Sequence, residues 1–255
     1  MLLKQSKKER LLYYVFSTRA EMGAKAAEDI AERILLLLKE KKEVNMIFAA
    51  APSQNEVLSG LAANREIAWN RVNAFHMDEY IGLSQNHPQS FAKFLNNALF
   101  DKVNLHSANL IHGDAKDPAA ECRRYETLLK NYPADIVCLG IGENGHIAFN
   151  DPWVADFEDS SLVKTVPLDE ICRRQQVHDG CFASLGQVPK TAVTLTVPAL
   201  TAAPYLFCTV PSKTKRAAVN AAVNGEISVD CPASVLRRCQ NAVLYCDGES
   251  GQDLL

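Results

Sequence analysis

Short apolar runs with no polar break alternate along this chain with segments of helical period. Residues 44–51 read VNMIFAAA, and DIVCLGIG (135–142), PYLFCTV (204–210) and NAVLYCD (241–247) follow. Runs of this kind are strands covered on both faces. RVNAFHMDEY (71–80) predicts a strand ending near Met77, and TAVTLTV (191–197) predicts another. Between them lie helices. Residues 18–41 carry Ala27, Ile30, Ala31, Ile34 and Leu38 on one face, opened by a T-R-A-E capping box from Thr18 to Glu21. NEVLSGLAAN and a stretch from Ser90 to Phe100 read as further helices. Asp117-Pro118 is an N-cap and N1 pair for a helix to about Lys130, and Ser212 opens one stopped by Gly225. Such alternation predicts a Rossmann-like α/β fold, a mostly parallel sheet with helices on both faces. With 255 residues and no linker or repeat, a single domain spanning the chain is expected.

In sheets of this type, ligands gather beyond the carboxyl ends of the strands. Four polar segments directly follow predicted strands: APSQN (51–55), HMDEY (76–80), GENGHIAFND (142–151) and VPSKTKR (210–216). They are the candidates for a site. The net charge is only −3, with no basic tail or stripe, so nucleic acid is not an expected partner. An anionic ligand must be met by local groups. The apolar run ILLLL (34–38) is far too short to span a bilayer, and no membrane partner is expected. None of the 8 cysteines forms a C-x-x-C pair. Several sit inside apolar runs, as small hydrophobes do in a reducing compartment. The expectation is a cytoplasmic protein without disulfides and without a metal site.

Residues 139–152, LGIGENGHIAFNDP, contain G-x-G-x-x-G at Gly140, Gly142 and Gly145. A dinucleotide fingerprint needs its last glycine to open a long helix. Here Pro152 allows at most two turns, and no acid stands at the tip of the next predicted strand. The glycines can instead let a tight turn present backbone N–H groups and several polar side chains together. Glu143, Asn144, His146 and Asp151 would then share one strand end. His146 precedes Asp151 by five residues, so the carboxylate can orient the imidazole as a proton carrier near neutral pH. The alternative is a histidine that only caps or packs the turn.

These residues carry a family resemblance. FHMDEYIGL followed by LGIGENGHIAFNDP resembles the glucosamine-6-phosphate deaminase (isomerase) family, with its M-D-E-Y-x-G-L and G-x-G-x-x-G-H-I-A-F-N-[E/D]-P. QVPKTAVTLTV and SKTKRAAVNAAVNG are similar too, so the likeness spans residues 24–247 or so. The related 6-phosphogluconolactonases usually lack M-D-E-Y and F-N-[E/D]-P. The resemblance implies an enzyme without metal or organic cofactor that converts a 2-amino-2-deoxy-hexose 6-phosphate to fructose 6-phosphate and ammonia. Glucosamine 6-phosphate is the expected substrate, with the galactosamine epimer as alternative. Lactone hydrolysis and a non-catalytic sugar-phosphate sensor are the remaining readings. A homo-oligomer is compatible with the family.

Residue by residue, the resemblance assigns Asp78 as the base at C2, against the alternative that it caps a turn beside Glu79. His146 matches the ring-opening histidine and Asp151 its partner. Asn144 departs from the family's Asp, and Glu143 is a candidate for the missing charge. For the phosphate, Lys215 matches the family's lysine, with Lys213 and Arg216 as neighbours. Ser53 and Gln54 of APSQN stand where the family has P-T-G-[GS]-T-P, and Ser53 is also a plain N-cap candidate. Gly142 would contribute backbone, and Arg173 or Arg174 a second phosphate cation. Leu162 stands two positions before Lys164-Thr165, where hexameric relatives have a basic residue, so their allosteric activation is not expected.

Overall fold

The computed structural model describes residues 1–255. In chain order its strands and helices are β1 (Leu2–Lys8), β2 (Leu11–Phe16), α1 (Arg19–Glu40), β3 (Val44–Phe48), α2 (Asn55–Ala63), β4 (Val72–His76), β5 (Asp78–Tyr80), α3 (Phe91–Ala98), β6 (Ser107–Asn109), α4 (Pro118–Asn131), β7 (Ile136–Leu139), β8 (Val163–Pro167), α5 (Glu170–His178), β9 (Thr191–Leu195), α6 (Val197–Thr201), β10 (Tyr205–Val210), α7 (Arg216–Asn224) and β11 (Ala242–Cys246).

The main sheet has the order β1-β2-β11-β10-β7-β3-β4-β6. From β2 to β6 every pairing is parallel, and only β1 runs antiparallel at the edge. This bears out the α/β expectation. The buried strands alternate sides as the pleat requires. Ile136 and Cys138 pack on the face covered by α1, α2 and α3, where Ile30, Ile34, Leu58 and Leu95 lie. Val137 and Leu139 pack on the opposite face with Tyr125, Leu200 and Val219 of α4, α6 and α7. Both faces are dry, which is why these strands are apolar throughout.

Strand order reverses between β3 and β7. From β3 the chain proceeds outward through β4 to β6; from β7 it proceeds the other way through β10 to β11. The loops leaving β3 and β7 therefore diverge and leave a crevice at their carboxyl ends.

Three features depart from the sequence expectation. TAVTL forms β9 of a separate antiparallel sheet, ordered β5-β9-β8, rather than a strand of the parallel one. The amino terminus forms the β1–β2 hairpin. Its outer strand, LLKQSKK, is mostly exposed and lysine-rich, which discourages pairing with another chain at the edge. At α1, Thr18 Oγ1 accepts from Glu21 N at 3.2 Å, as a cap should, but Glu21 bonds the Ser17 and Thr18 hydroxyls instead of closing the box through the backbone. All cysteines are free thiols, and no helix is long and apolar enough to cross a membrane.

Candidate active site

The crevice holds a cavity of about 270 Å³, near the lower end of small-molecule pockets. Its walls come from the four polar segments that follow β3, β4, β7 and β10. They supply Ser53, Asp78, Gly142 with His146, and Ser212 with Lys215. A fifth wall is α5, which contributes Gln175, Gln176 and nearby Asp179.

Asp78 reaches the cavity because the chain changes sheets beside it. β4 ends at His76, Met77 bridges, and Asp78 opens β5, where it pairs with Thr194 of β9. Asp78 and Glu79 then point to different places. The Glu79 carboxylate accepts from the backbone N–H groups of Tyr80, Phe91 and Ala92 at 2.9, 3.1 and 2.9 Å, capping the start of α3. Glu79 is thus the capping residue and Asp78 the one facing the cavity. Burial, followed by the negative charge of Glu79, raises the Asp78 pKa well above the ordinary carboxylate value. No protein group donates a hydrogen bond that would oppose this. A carboxyl so placed is a strong base once ionised.

His146 is held from behind. Its Nδ1 lies 2.8 Å from Asn144 Oδ1 and 3.1 Å from Asp151 Oδ1. Both neighbours are acceptors, so Nδ1 carries the hydrogen and Nε2 keeps the lone pair. Asn144 Nδ2 in turn donates to Asp151 at 2.9 Å and to Asp169 at 3.4 Å. Burial works to raise the Asp151 pKa, but the His146 and Asn144 hydrogen bonds and the His146 charge outweigh it, and the net pKa is lowered. Asp151 therefore remains ionised to steady an imidazolium. The turn itself needs its glycines. A Cβ at Gly142 would lie 2.1–2.4 Å from the His146 ring, and Gly145 has φ +87°. The backbone thus closes over the imidazole as no other residue would permit.

Cys172 lies in the same cluster, with ligand atoms of His146, Asp151 and Cys172 all within 4.8 Å of one another. These donor types could hold a metal ion. Yet His146 Nδ1 is already engaged, and burial holds the Cys172 thiol well above its ordinary pKa, in the form that binds metals poorly. The hydrogen-bonded group is instead His146, Asn144 and Asp151.

At the other end of the cavity, Lys215 closes the short 3₁₀ turn Lys213–Lys215 before α7. Its Nζ is buried and has no hydrogen-bond partner. Glu143 Oε1 is 3.9 Å away. Burial lowers the Lys215 pKa, against the pull of Asp179 and Glu143. Its neighbours are excluded by their surroundings: Lys213 is exposed, and Arg216 pairs with Asp253. Ser212, beside Lys215, has φ 87°, a strained backbone held by its N–H bond to Asp247 at 3.0 Å.

Several expectations need correction. Gln54 does not line the cavity. Its amide nitrogen lies 3.4 Å from Leu139 O and 3.3 Å from Thr209 O, and its Oε1 accepts from Thr209 Oγ1 at 3.1 Å. It stitches the ends of β7 and β10 beneath the site. Glu143 does not supply charge to His146; it faces Lys215 and His178 instead. Arg173 donates to Leu185 O and Val188 O, and Arg174 pairs with Glu170 on the surface. Neither reaches the cavity. Lys164 is tied to Asp159 and Val154 O. Sequence reasoning missed Asp169, Gln175 and Gln176, and gave Asp179 no role. The D-G turn at 179–180 that ends α5 was the only local signal.

Residues 17–245 match the family model described as glucosamine-6-phosphate isomerases/6-phosphogluconolactonase. The chain belongs to that family. A glucosamine-6-phosphate deaminase of Vibrio campbellii is 36% identical over 192 residues, 74% of this chain and 71% of the relative. One from Listeria monocytogenes is 32% identical over 228 residues, 89% and 94% of the two chains. A solved monomeric glucosamine-6-phosphate deaminase superposes with TM-score 0.85 at 29% identity, covering 94% of this chain and 98% of its own. The 6-phosphogluconolactonase of Thermotoga maritima shares the fold, with TM-score 0.76 at 20% identity over 93% and 99% of the chains. Family membership thus joins a deaminase branch by sequence to lactonases by fold.

Proposed function

We propose that this chain opens, isomerises and deaminates a 2-amino-2-deoxy-hexose 6-phosphate, converting glucosamine 6-phosphate to fructose 6-phosphate and ammonia. The observation that carries the reading is the convergence of Asp78, His146 and Lys215 on one cavity from three separate crossovers. His146 Nε2 moves a proton between the ring oxygen and the C1 hydroxyl, so the pyranose opens to the aldehyde. Asp151 and Asn144 hold the imidazole through Nδ1 while it carries charge. The ionised Asp78 takes the C2 proton, giving an enolamine, and returns it to C1. The resulting ketose imine adds water and loses ammonia. Lys215, with Ser53 and Ser212 lining the same cavity, holds the phosphate, because a buried ammonium without a hydrogen-bond partner gains most from an anion.

The lactonase reading leaves Asp78 without a task, since ester hydrolysis removes no carbon-bound proton. The assay is ammonia and fructose 6-phosphate release from purified protein across the epimeric amino sugar 6-phosphates. Equimolar release of both from the gluco epimer, lost in Asp78→Asn, is expected. Lactone hydrolysis retained in Asp78→Asn, with no ammonia from any epimer in the unsubstituted protein, would reverse the assignment.

A further inference from the structure

The wall contributed by α5 is unlike what a phosphate dianion requires. Its arginines are spent elsewhere, and Gln175, Gln176 and Asp179 line the cavity instead. Arg19, the other cation at the rim, is committed to Glu56 at 2.7 Å and to Pro52 O. Besides the Ser53 and Ser212 hydroxyls, the charged groups that line the cavity near Lys215 are its own ammonium, which has no hydrogen-bond partner, and the Asp179 carboxylate. Asp179 is held from behind by Gln175, whose Nε2 donates to it at 3.3 Å. Gln175 Oε1 is itself fixed by the Glu143 N–H at 2.9 Å. Lys215 comes within ion-pair distance of Glu143, at 3.9 Å, but not of Asp179. The other groups near Asp179 are His178, which lies 3.7 Å from Glu143, and the Cys181 thiol, pushed up to about 11 by burial and by Asp179.

A carboxylate can only accept hydrogen bonds, and so can a phosphate dianion. Placing them together gives neither a donor from the other and adds like-charge repulsion. A monoester that keeps one proton offers Asp179 an O–H donor and still offers Lys215 its other oxygens. We propose that Asp179 is a specificity-determining residue that makes this end of the cavity select a singly protonated phosphate monoester over the dianion and over a sulfate ester. The proposal deepens the deaminase reading and rests on its placement of the phosphate at Lys215.

The test is calorimetric binding of fructose 6-phosphate and fructose 6-sulfate, neither of which can release ammonia. The sulfate ester has the charge of the phosphate monoanion but no proton, so it also reports any loss of charge at Lys215. At pH 6 the sulfate ester should bind about 5- to 150-fold more weakly, the range for an unsatisfied buried acceptor. Affinity for the phosphate ester should fall about tenfold from pH 7 to pH 8 beyond any change in the sulfate ester, because the second phosphate pKa is near 6. Asp179→Asn keeps an oxygen for Gln175, removes the charge and puts an N–H donor in place of the other oxygen, so either ester can be met by a donor there. It should bring the two esters within about threefold and abolish the excess pH dependence. Equal binding of both esters by the unsubstituted protein, or weaker phosphate binding without loss of discrimination in Asp179→Asn, would overturn the inference. Ester discrimination in a protein that releases no ammonia would instead refute the deaminase reading and leave this inference standing.

Discussion

Replacing Asp78 by Asn should cut the rate sharply and stabilise the fold at once. Asp78 sits 7% exposed, beside the negative Glu79, with no hydrogen bond from the protein to its carboxylate. Its folded pKa is therefore raised above the unfolded value of about 3.9. A raised carboxyl pKa favours folding below the unfolded value and costs stability as pH climbs to the folded one. Each factor of ten by which folding tightens the proton costs about 1.4 kcal/mol above the raised pKa. Asp78→Asn removes that cost, which for a chain of this size is about 3–5 °C in Tm for each such factor of ten. An amide in the same place adds its own offset, but that offset does not vary with pH. The assay is thermal unfolding of both proteins from pH 4 to pH 8, with ammonia release measured alongside. The Tm difference should increase in favour of the variant as pH rises, while the rate falls about 10²- to 10⁴-fold. A Tm difference independent of pH, or a variant that keeps its activity, would refute the placement of Asp78 as a buried base.

The same raised pKa sets the acid limb of kcat/KM. Activity should fall as pH drops through a value above the ordinary carboxylate range, because only the ionised form accepts the C2 proton. Lys215→Met should raise KM for the sugar phosphate about 10- to 100-fold, the loss of a charged hydrogen bond, with a smaller change in kcat. Steady-state kinetics check both. Asn144→Asp would set a third carboxylate against Asp151 and Asp169, replacing two hydrogen bonds by repulsion. Denaturation curves should show a loss of about 1–3 kcal/mol at neutral pH that is recovered as pH falls. Gly142→Ala must displace the imidazole, and its kcat should collapse with a loss of about 1–3 kcal/mol in stability.

How much of this was legible in the sequence depends on what each segment packs against. β3, β7, β10 and β11 are buried on both faces, so their composition alone marks them. The four polar segments after strands mark the cavity by contrast with those runs: polar side chains at the end of a buried sheet are costly unless a polar group meets them. β1 was not legible because an edge strand is selected for lysines and exposure rather than apolar alternation. β5 is only three residues long, and its change of sheet at Met77 depends on contacts with β9 distant in sequence. α5, EICRRQQVH, was hidden by its own composition. Its inward face includes Gln175 and Gln176, buried polar residues that line a cavity, so the usual apolar stripe is missing. That is also why Arg173 and Arg174 drew attention in place of Gln175 and Asp179. Which of two adjacent polar residues faces inward is fixed by the helix phase, and here no apolar pattern reveals that phase.

Turnover of glucosamine 6-phosphate deuterated at C2 bears most directly on the shared work of Asp78 and His146. The account predicts slowed release of ammonia relative to the protiated sugar, loss of the label from C2, and fructose 6-phosphate formed in equal amount. Ammonia released with the deuterium still on C2, or a sugar recovered unchanged with its label intact, would contradict it.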